Sequence, residues 1–222
     1  MSRTAKWRLV SRVRTAPGMS KRLSIVPLTP DTWPALEALF RERGDTRWCW
    51  CQYWRLRSKD FAASRVPELR HRLRAAADGP VAPGLVALRD GAAVGWVSLG
   101  PRETFERIER SRVIPRVDDA PVWSIVCFAV DASARGEGVG AALLDAAVSH
   151  ATSNGAAILE AYPVDLPTGG ALPAESAFTG TLAMFERAGF TVVADTTSSA
   201  GGHPRVVVRR EIDAPAESQA TA

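Results

Sequence analysis

One apolar run in the middle of the chain limits the folds that the chain can form. Residues 121–130 read PVWSIVCFAV, in which Ser124 is the only polar side chain. A strand of this composition is covered on both faces, as in a sheet with helices packed against its two sides. A loop with glycines at positions 136, 138 and 140 follows, and then a helical pattern over residues 139–153. The middle of the chain therefore predicts a central strand, a glycine-rich loop and a helix in direct succession.

The glycine-rich loop fits two phosphate-binding patterns. Residues 136–141 match the G-x-G-x-x-A form of a dinucleotide-binding loop, and Glu160 lies about where the ribose-binding acid of that pattern falls. Residues 135–140 instead match the R-x-x-G-x-G form of an acyl-coenzyme A pyrophosphate loop. Both patterns place phosphate at a helix N-terminus, so the loop alone does not separate them.

The arrangement around the loop excludes the dinucleotide fold. Five residues, 131–135, separate the strand from the first glycine, whereas a dinucleotide-binding fold joins the two almost directly. A hairpin pattern around Asp90-Gly91 lies upstream, and only about sixty residues follow Glu160. The chain has no room for a doubly wound parallel sheet, so the coenzyme A pattern is favoured.

Hydrophobic periodicity and turn residues predict the elements on either side of the loop. Apolar side chains recur at helical or strand spacing, and glycine, proline or aspartate residues separate the segments. The expected elements are a strand at 22–29, helices at 29–44 and 64–79, a hairpin at 84–100, a strand at 156–164, a short helix at 179–189, and strands at 190–195 and 205–212.

With this element order the chain resembles the GNAT N-acetyltransferase superfamily over roughly residues 22–212. Residues 135–140, which follow FAVDASA, match the coenzyme A loop of that family, and Phe185–Asp195 (FERAGFTVVAD) match its segment of last helix, glycine turn and following strand. The segments CWCQYWR, PRETFERIERSR, VWSIVCFAV and EAYPVD are similar to those of a bacterial subgroup of GNAT proteins.

The resemblance implies a fold and a donor site. The fold is α/β (α+β), with a central mixed, mostly antiparallel sheet of about six to seven strands, flanked by about four helices and splayed between the fourth and fifth strands. Acetyl-CoA would be the co-substrate, its pyrophosphate on the loop and its pantetheine along the central strand. The donor-binding residues are then Phe128, Ala129, Val130, Arg135, Gly136, Glu137, Gly138, Val139, Gly140 and Ala141.

The catalytic residues are less clearly marked. Many GNAT enzymes use a tyrosine on the last helix as the acid, and the matching position here is Phe185, which has no hydroxyl. Tyr162, at the end of the strand expected to splay, is the first substitute for that acid. Glu160 shares its strand face and is the candidate base or amine-binding group. A packing role for Tyr162 and a solvated edge position for Glu160 are the alternatives.

Three further groups have both a functional and a structural interpretation. Cys49 and Cys51 suggest a metal site, but zinc usually needs four ligands and no second Cys/His pair exists, so no metal is predicted. The surrounding aromatic residues could line an acceptor pocket or simply pack, and residues 163–178 could form a lid. A group of arginines could receive an anionic substrate or form a solvated face. The aromatic residues are Trp48, Trp50, Tyr53 and Trp54, and the arginines are Arg102, Arg110, Arg112 and Arg116.

Charge divides the chain into a basic start and a remainder of the opposite sign. Residues 1–22 hold seven basic and no acidic residues, so a net charge of +4 for the chain leaves −3 for residues 23–222. We expect residues 1–21 to be a basic flexible arm, or an extension upstream of a start at Met19, residues 22–212 to be the acetyltransferase domain, and residues 213–222 to be a disordered tail. A basic arm could contact nucleic acid or an anionic membrane.

These patterns together predict a cytoplasmic N-acetyltransferase. Three cysteines argue against a disulfide scaffold, and no apolar run reaches the length of a membrane span. The predicted reaction is direct acetyl transfer from acetyl-CoA to a primary amine of a small-molecule or peptide acceptor. The alternative is a catalytically weak acyl-CoA-binding regulatory protein. Nucleic-acid binding is disfavoured, no membrane partner is expected, and a homodimer is left open.

Overall fold

The computed structural model describes residues 22–42, 46–168, 170 and 172–212. The expected basic arm at 1–21 and tail at 213–222 lie outside these residues, so the division of the chain into three parts stays a prediction.

A mixed sheet forms the centre of the described structure. Its strands are β1 (Leu23–Pro27), β2 (Gly84–Arg89), β3 (Ala92–Pro101), β4 (Trp123–Val130), β5 (Ile158–Ala161), β6 (Thr191–Ala200) and β7 (His203–Glu211). The seven strands lie in the order β1-β2-β3-β4-β5-β7-β6. Strands β4 and β5 are parallel, and the other five neighbouring pairs are antiparallel. The expected mixed, mostly antiparallel sheet is confirmed.

Helices cover the two faces of this sheet. They are α1 (Trp33–Glu42), α2 (Thr46–Cys49), α3 (Ser58–Ala63), α4 (Val66–Ala76), α5 (Glu106–Glu109), α6 (Val139–Ser153) and α7 (Leu182–Arg187). The four expected helices correspond to α1, α4, α6 and α7. The sequence did not predict α2 and α3, because helices of four to six residues are too short to show an amphipathic period.

Strand β4 is buried on both faces, as its composition predicted. On one face Leu143 and Ala147 of α6 pack in the same apolar cluster as Ile125. On the other face Val126 lies in a second cluster together with Phe40 of α1 and Leu73 of α4. The helix that follows the glycine-rich loop is therefore held against the central strand by its buried side.

The predicted hairpin at residues 84–100 is present, and the last two predicted strands form a second hairpin. The first joins β2 to β3 through Asp90 and Gly91, whose φ angles are +52° and +85°. Two consecutive positive φ angles define the turn type that matches the twist of a two-residue hairpin, which explains the Asp-Gly pair. The second hairpin joins β6 to β7 through Gly201 and Gly202, which also have positive φ angles.

Candidate active site

The sheet opens between its two central strands. Strands β4 and β5 pair only through Trp123–Ile125, which face Leu159–Ala161. Beyond Ala161 the chain stays with β7 instead of β4, since Val206 N donates to Pro163 O at 3.2 Å and Asp165 N donates to Pro204 O at 2.9 Å. The remainder of β4, Val126–Val130, pairs with β3 only among the residues that the structure describes. The expected splay between the fourth and fifth strands is thus observed.

A β-bulge lies where the opening begins. Ile125 pairs with Leu99 and Cys127 pairs with Ser98, so Val126 is an extra residue on β4. A bulge bends its strand and increases the local twist, which turns the strand away from a neighbour. Because Val126 directly follows the last pair between β4 and β5, the bulge gives a physical reason for the separation of the two strands.

The far side of the opening is closed by the segment that leads into α7. Val164 N donates to Gly180 O at 3.0 Å, and Leu182 N donates to Val164 O at 2.9 Å. Phe185 of α7 is fully buried, with its ring centroid 6.1 Å from that of Phe128 on β4. Phe185, at the position where the resemblance would place a tyrosine acting as general acid, therefore forms an apolar contact between α7 and the central strand.

The loop between β4 and α6 is shaped by local hydrogen bonds. Asp131 N donates to Val94 O at 3.0 Å, and the Asp131 carboxylate accepts from Ser133 N at 2.8 Å. The Ser133 hydroxyl and amide, as hydrogen-bond donors, hold the pKa of Asp131 below its usual value. Arg135 then turns its side chain back, and its Nε donates to Val130 O at 3.3 Å.

The glycines of the loop are required by backbone conformation rather than by space. Gly136 and Gly138 have φ angles of +76° and +80°, and a Cβ atom on either would meet no atom within 4 Å. The backbone N–H groups of residues 136–141 donate to no acceptor in the described part of the chain. These donors lie at the positive end of the 15-residue helix α6. Such a set of donors can bind an anion such as a pyrophosphate.

A buried ionic network crosses the sheet beside the opening. The carboxylate of Glu160, which is fully buried, accepts from Arg102 Nη1 at 2.9 Å through Oε1 and from Arg209 Nε at 2.8 Å through Oε2. Arg209 also donates to both carboxylate oxygens of Asp118, at 2.6 Å and 3.1 Å. These arginine hydrogen bonds hold the pKa of Asp118 below its usual value. The network ties the segment after β3 to β5 and β7.

Tyr162 belongs to the same network. Its hydroxyl donates to Glu160 Oε1 at 2.6 Å and lies 3.0 Å from Ser124 Oγ on β4. Burial, followed by the nearby charge of Glu160, raises the pKa of Tyr162 well above its usual value, so the phenol is neutral at pH 7. The structure therefore brings the two candidate catalytic residues into contact, and both are fully buried.

The aromatic residues predicted near the cysteines separate into different roles. Trp50 is 2% exposed and packs against Trp33 and Phe40 in the core. Tyr53 and Trp54 instead line a cavity of about 350 Å³. Trp48 is 57% exposed.

The cysteines form a buried contact between the α2 region and the central strand. Cys51 and Cys127 have their sulfur atoms 3.8 Å apart, and Trp96 Nε1 donates to Cys51 Sγ at 2.9 Å. The contact with Cys127, together with burial, raises the pKa of Cys51 well above its usual value. Within the described ranges, no group of three or more His, Cys, Asp or Glu side chains could hold a metal ion.

Four residues of this region, Arg205, Arg209, Ser124 and Phe178, were not predicted as site residues. Arg205 and Arg209 lie on β7, in the run RVVVRRE. An arginine inside an otherwise apolar strand indicates a buried ion pair or a ligand contact, and this signal was present in the sequence. Ser124 had a similar signal as the polar side chain of β4, whereas Phe178 had none.

Comparison with models of known protein families shows the family to which the chain belongs. Residues 49–171, more than half of the sequence, match a family model described as the acetyltransferase (GNAT) family. The chain therefore belongs to the GNAT family and is an N-acetyltransferase. The resemblance inferred from the loop and the element order is confirmed. The closer similarity to a bacterial subgroup stays a prediction.

Solved structures share the fold. An acetyltransferase of the GNAT family from Streptococcus pneumoniae is 16% identical, with 86% of this chain and 100% of the other covered and a TM-score of 0.50. A ribosomal-protein-alanine N-acetyltransferase from Brucella melitensis is 20% identical, with 85% and 99% covered and a TM-score of 0.50. A histone acetyltransferase HPA2 and related acetyltransferase from Corynebacterium glutamicum is 19% identical, with 87% and 98% covered and the same TM-score of 0.50.

No curated protein matches the sequence significantly. Among the helices of the described residues, none combines the length and apolar character needed to cross a membrane.

Proposed function

We propose that this protein transfers the acetyl group of acetyl-CoA directly to a primary amine in a ternary complex. The observation that carries the proposal is the position of the loop at residues 135–141 directly beyond the open part of β4. A donor whose pyrophosphate lies on the loop could extend its pantetheine arm along Val126–Val130, where backbone groups face no strand on one side. Acetyl-CoA is the donor used by the GNAT family.

In this proposal each part of the donor has a matching set of groups. The N–H groups of the loop bind the pyrophosphate, and Arg135 adds a charge-assisted contact. The backbone of Phe128–Val130 pairs with pantetheine. The complete set is Phe128, Ala129, Val130, Arg135, Gly136, Glu137, Gly138, Val139, Gly140 and Ala141.

Direct attack by the amine is favoured over an acyl-enzyme formed on Cys51. A cysteine nucleophile must ionise, and the raised pKa of Cys51 keeps that buried thiol neutral. The acceptor amine must instead lose a proton, since a lysine-like amine has a pKa of about 10.4. The acceptor nitrogen would therefore lie beside the thioester, at the opening between β4 and β5.

Tyr162 is the proposed group that stabilises the departing thiolate, and Glu160 is the proposed positioning residue. Both Glu160 oxygens already accept hydrogen bonds, which suits a carboxylate that orients the Tyr162 hydroxyl better than a free base. A thiol has a pKa of about 8.5, below the raised pKa of Tyr162, so the phenol would keep its proton. The single O–H of Tyr162, which donates to Glu160 Oε1 in this structure, would turn to the thiolate as the thiolate departs.

A second candidate function is a catalytically weak acyl-CoA-binding regulator. It is favoured by Phe185, which offers no hydroxyl at the position of the usual acid. The two functions differ in turnover. We expect thiol release from acetyl-CoA to rise severalfold above its background when a suitable amine is added from a panel of amino acids, polyamines and peptides. Tight coenzyme A binding by calorimetry, with no amine-dependent thiol release, would support the regulator instead.

A further inference from the structure

A cavity lined in part by Ser198 of β6 and Arg205 of β7 has an unusual charge. It has a volume of about 350 Å³, and no aspartate or glutamate is among the lining residues whose side chains the structure describes. Its walls include two aromatic side chains, Tyr53 and Trp54. Four of its lining residues are arginines, namely Arg107, Arg110, Arg112 and Arg205.

Arg205 is the buried member of this set, at 6% exposed. Its Nη1 donates to Ser199 O at 2.9 Å and to Ser198 Oγ at 3.2 Å, and its Nε lies 3.5 Å from Thr179 Oγ1. Among the side chains that the structure describes, which do not include those of residues 174 and 175, no carboxylate pairs with Arg205 and no acceptor receives its Nη2. A buried guanidinium held only by neutral groups leaves its charge uncompensated, and an anionic ligand in the cavity would balance it.

The other three arginines add positive charge at the rim. Arg107 donates to Tyr53 O at 2.5 Å and to Ser58 Oγ at 2.9 Å, so neutral groups hold it in place. Arg110 and Arg112 are exposed and form no ion pair with a carboxylate in the described structure. None of the three is paired with a carboxylate among the side chains that the structure describes, so all three can attract an anionic ligand.

The predicted arginine cluster thus separates into two groups. Arg102 and Arg116 form ion pairs with Glu109, at 2.8 Å and 3.0 Å, and Arg102 also pairs with Glu160. Arg110 and Arg112 instead face the cavity. Carboxylates compensate the arginines on the network side, so the uncompensated positive charge is concentrated at the cavity.

The cavity shares its wall with the region of the opening. Trp54 lies between them, with its ring centroid 6.5 Å from that of Tyr162 and 6.3 Å from that of Phe178. Arg205 pairs across the β7 edge with Val164, three residues beyond the end of β5. A molecule held in the cavity therefore lies next to the elements that border the split between β4 and β5.

We propose, on the basis of the proposed function, that this cavity binds an acceptor amine that also carries an anionic group, either a carboxylate or a phosphate. The arginines bind the anion, and Tyr53 and Trp54 form the apolar wall that directs the amine towards the thioester. The acceptor class is then an acidic amino acid or a phosphorylated amine, rather than a polyamine or another cationic amine.

Matched pairs of amines test this inference. Aspartate with asparagine, and O-phosphoserine with serine, each used as its α-carboxamide so that the side chain is the only anionic group, form the two pairs. They distinguish a carboxylate from a phosphate, and the second member of each pair carries no anion. We expect kcat/KM at least about tenfold higher for the anionic member of one pair, as for a lost hydrogen bond to a charged group. The advantage should shrink as ionic strength rises, because salt screens charges near the surface.

Arginine variants locate the anion site. Arg205→Ala and Arg112→Ala should each raise KM for the anionic amine about tenfold relative to KM for its neutral partner. Arg112 is exposed, so its variant remains informative if Arg205→Ala fails to fold. Arg72→Ala is the matched control, since it removes the same charge from an exposed position on α4 outside the cavity.

Calorimetric binding of the same amines, without acetyl-CoA, separates this inference from the proposed function. Binding of aspartate or O-phosphoserine that is lost in Arg112→Ala supports the anion site even if no acetyl transfer occurs, in which case only the proposed function fails. Conversely, efficient acetylation of neutral or cationic amines, with no effect of the arginine variants on either assay, would overturn the anion site and leave the proposed function intact. Absence of both binding and an anionic preference would also overturn it.

Discussion

Replacement of Gly138 by alanine tests the donor loop through a single backbone angle. Gly138 has a φ angle of +80°, and a Cβ atom there would meet no atom within 4 Å, so the cost is conformational and not steric. An L-residue in the left-handed region loses about 1–2 kcal/mol. This strain pulls the φ angle of the variant towards negative values, which shifts the N–H groups that start α6.

The same helix supplies a matched control at its other end. Gly155 also has a φ angle of +80° and an equally open Cβ position, but it follows the C-terminus of α6. Gly155→Ala should therefore lower the free energy of unfolding by the same amount as Gly138→Ala, about 1–2 kcal/mol. Urea denaturation measures this loss in both variants. Both variants carry one strained alanine on an exposed turn, so stability does not distinguish them.

Coenzyme A binding should distinguish the two variants. We expect Gly138→Ala to raise the Kd of coenzyme A about tenfold or more in calorimetry, as for the loss of one hydrogen bond to a charged group. Gly155→Ala should bind as the wild-type protein does. Equal Kd values for both variants and the wild type would refute the assignment of residues 135–141 as the pyrophosphate site.

Three other changes probe the buried network. Tyr162→Phe should lower kcat for acetyl transfer and leave the Kd of coenzyme A unchanged, and an unchanged kcat across pH would remove Tyr162 from the reaction. Glu160→Gln should lower the free energy of unfolding by about 3 kcal/mol, because Arg102 and Arg209 lose the buried carboxylate that they share. Arg102 keeps its ion pair with Glu109, and Arg209 keeps its ion pair with Asp118. A loss below about 1 kcal/mol would mean that solvent screens the network. The depressed pKa of Asp118 contributes stability that is present above about pH 4 and lost as pH falls through the folded pKa, so Asp118→Asn should flatten the acid limb of urea denaturation measured against pH.

The sequence predicted those elements whose cause is local. The Asp90-Gly91 pair predicted its hairpin because a two-residue turn needs positive φ angles, and apolar spacing predicted the buried face of α6. The loop at residues 135–141 was predicted for the same reason, since glycines permit the backbone that exposes consecutive N–H groups.

The contacts that complete the site are not local. Asp118 and Arg209 are 91 residues apart in the chain, and only the β5–β7 pairing brings Arg209 to Glu160. The bulge at Val126 depends on the register between β3 and β4, which a single apolar run does not specify. Glu160 could therefore be named as a candidate from its strand position, but its arginine partners could not.

Acetyl transfer itself is tested most directly by initial-rate kinetics with acetyl-CoA labelled in its acetyl group. Both substrates are varied, with O-phosphoserine or aspartate as acceptor, and the label on the acceptor nitrogen is measured by mass spectrometry. Direct transfer in a ternary complex predicts intersecting double-reciprocal lines and one labelled amide formed for each thiol released. Parallel lines would instead indicate an acyl-enzyme. Thiol release without any labelled amide, for every amine of the panel, would contradict the assignment of this protein as an amine acetyltransferase that uses acetyl-CoA.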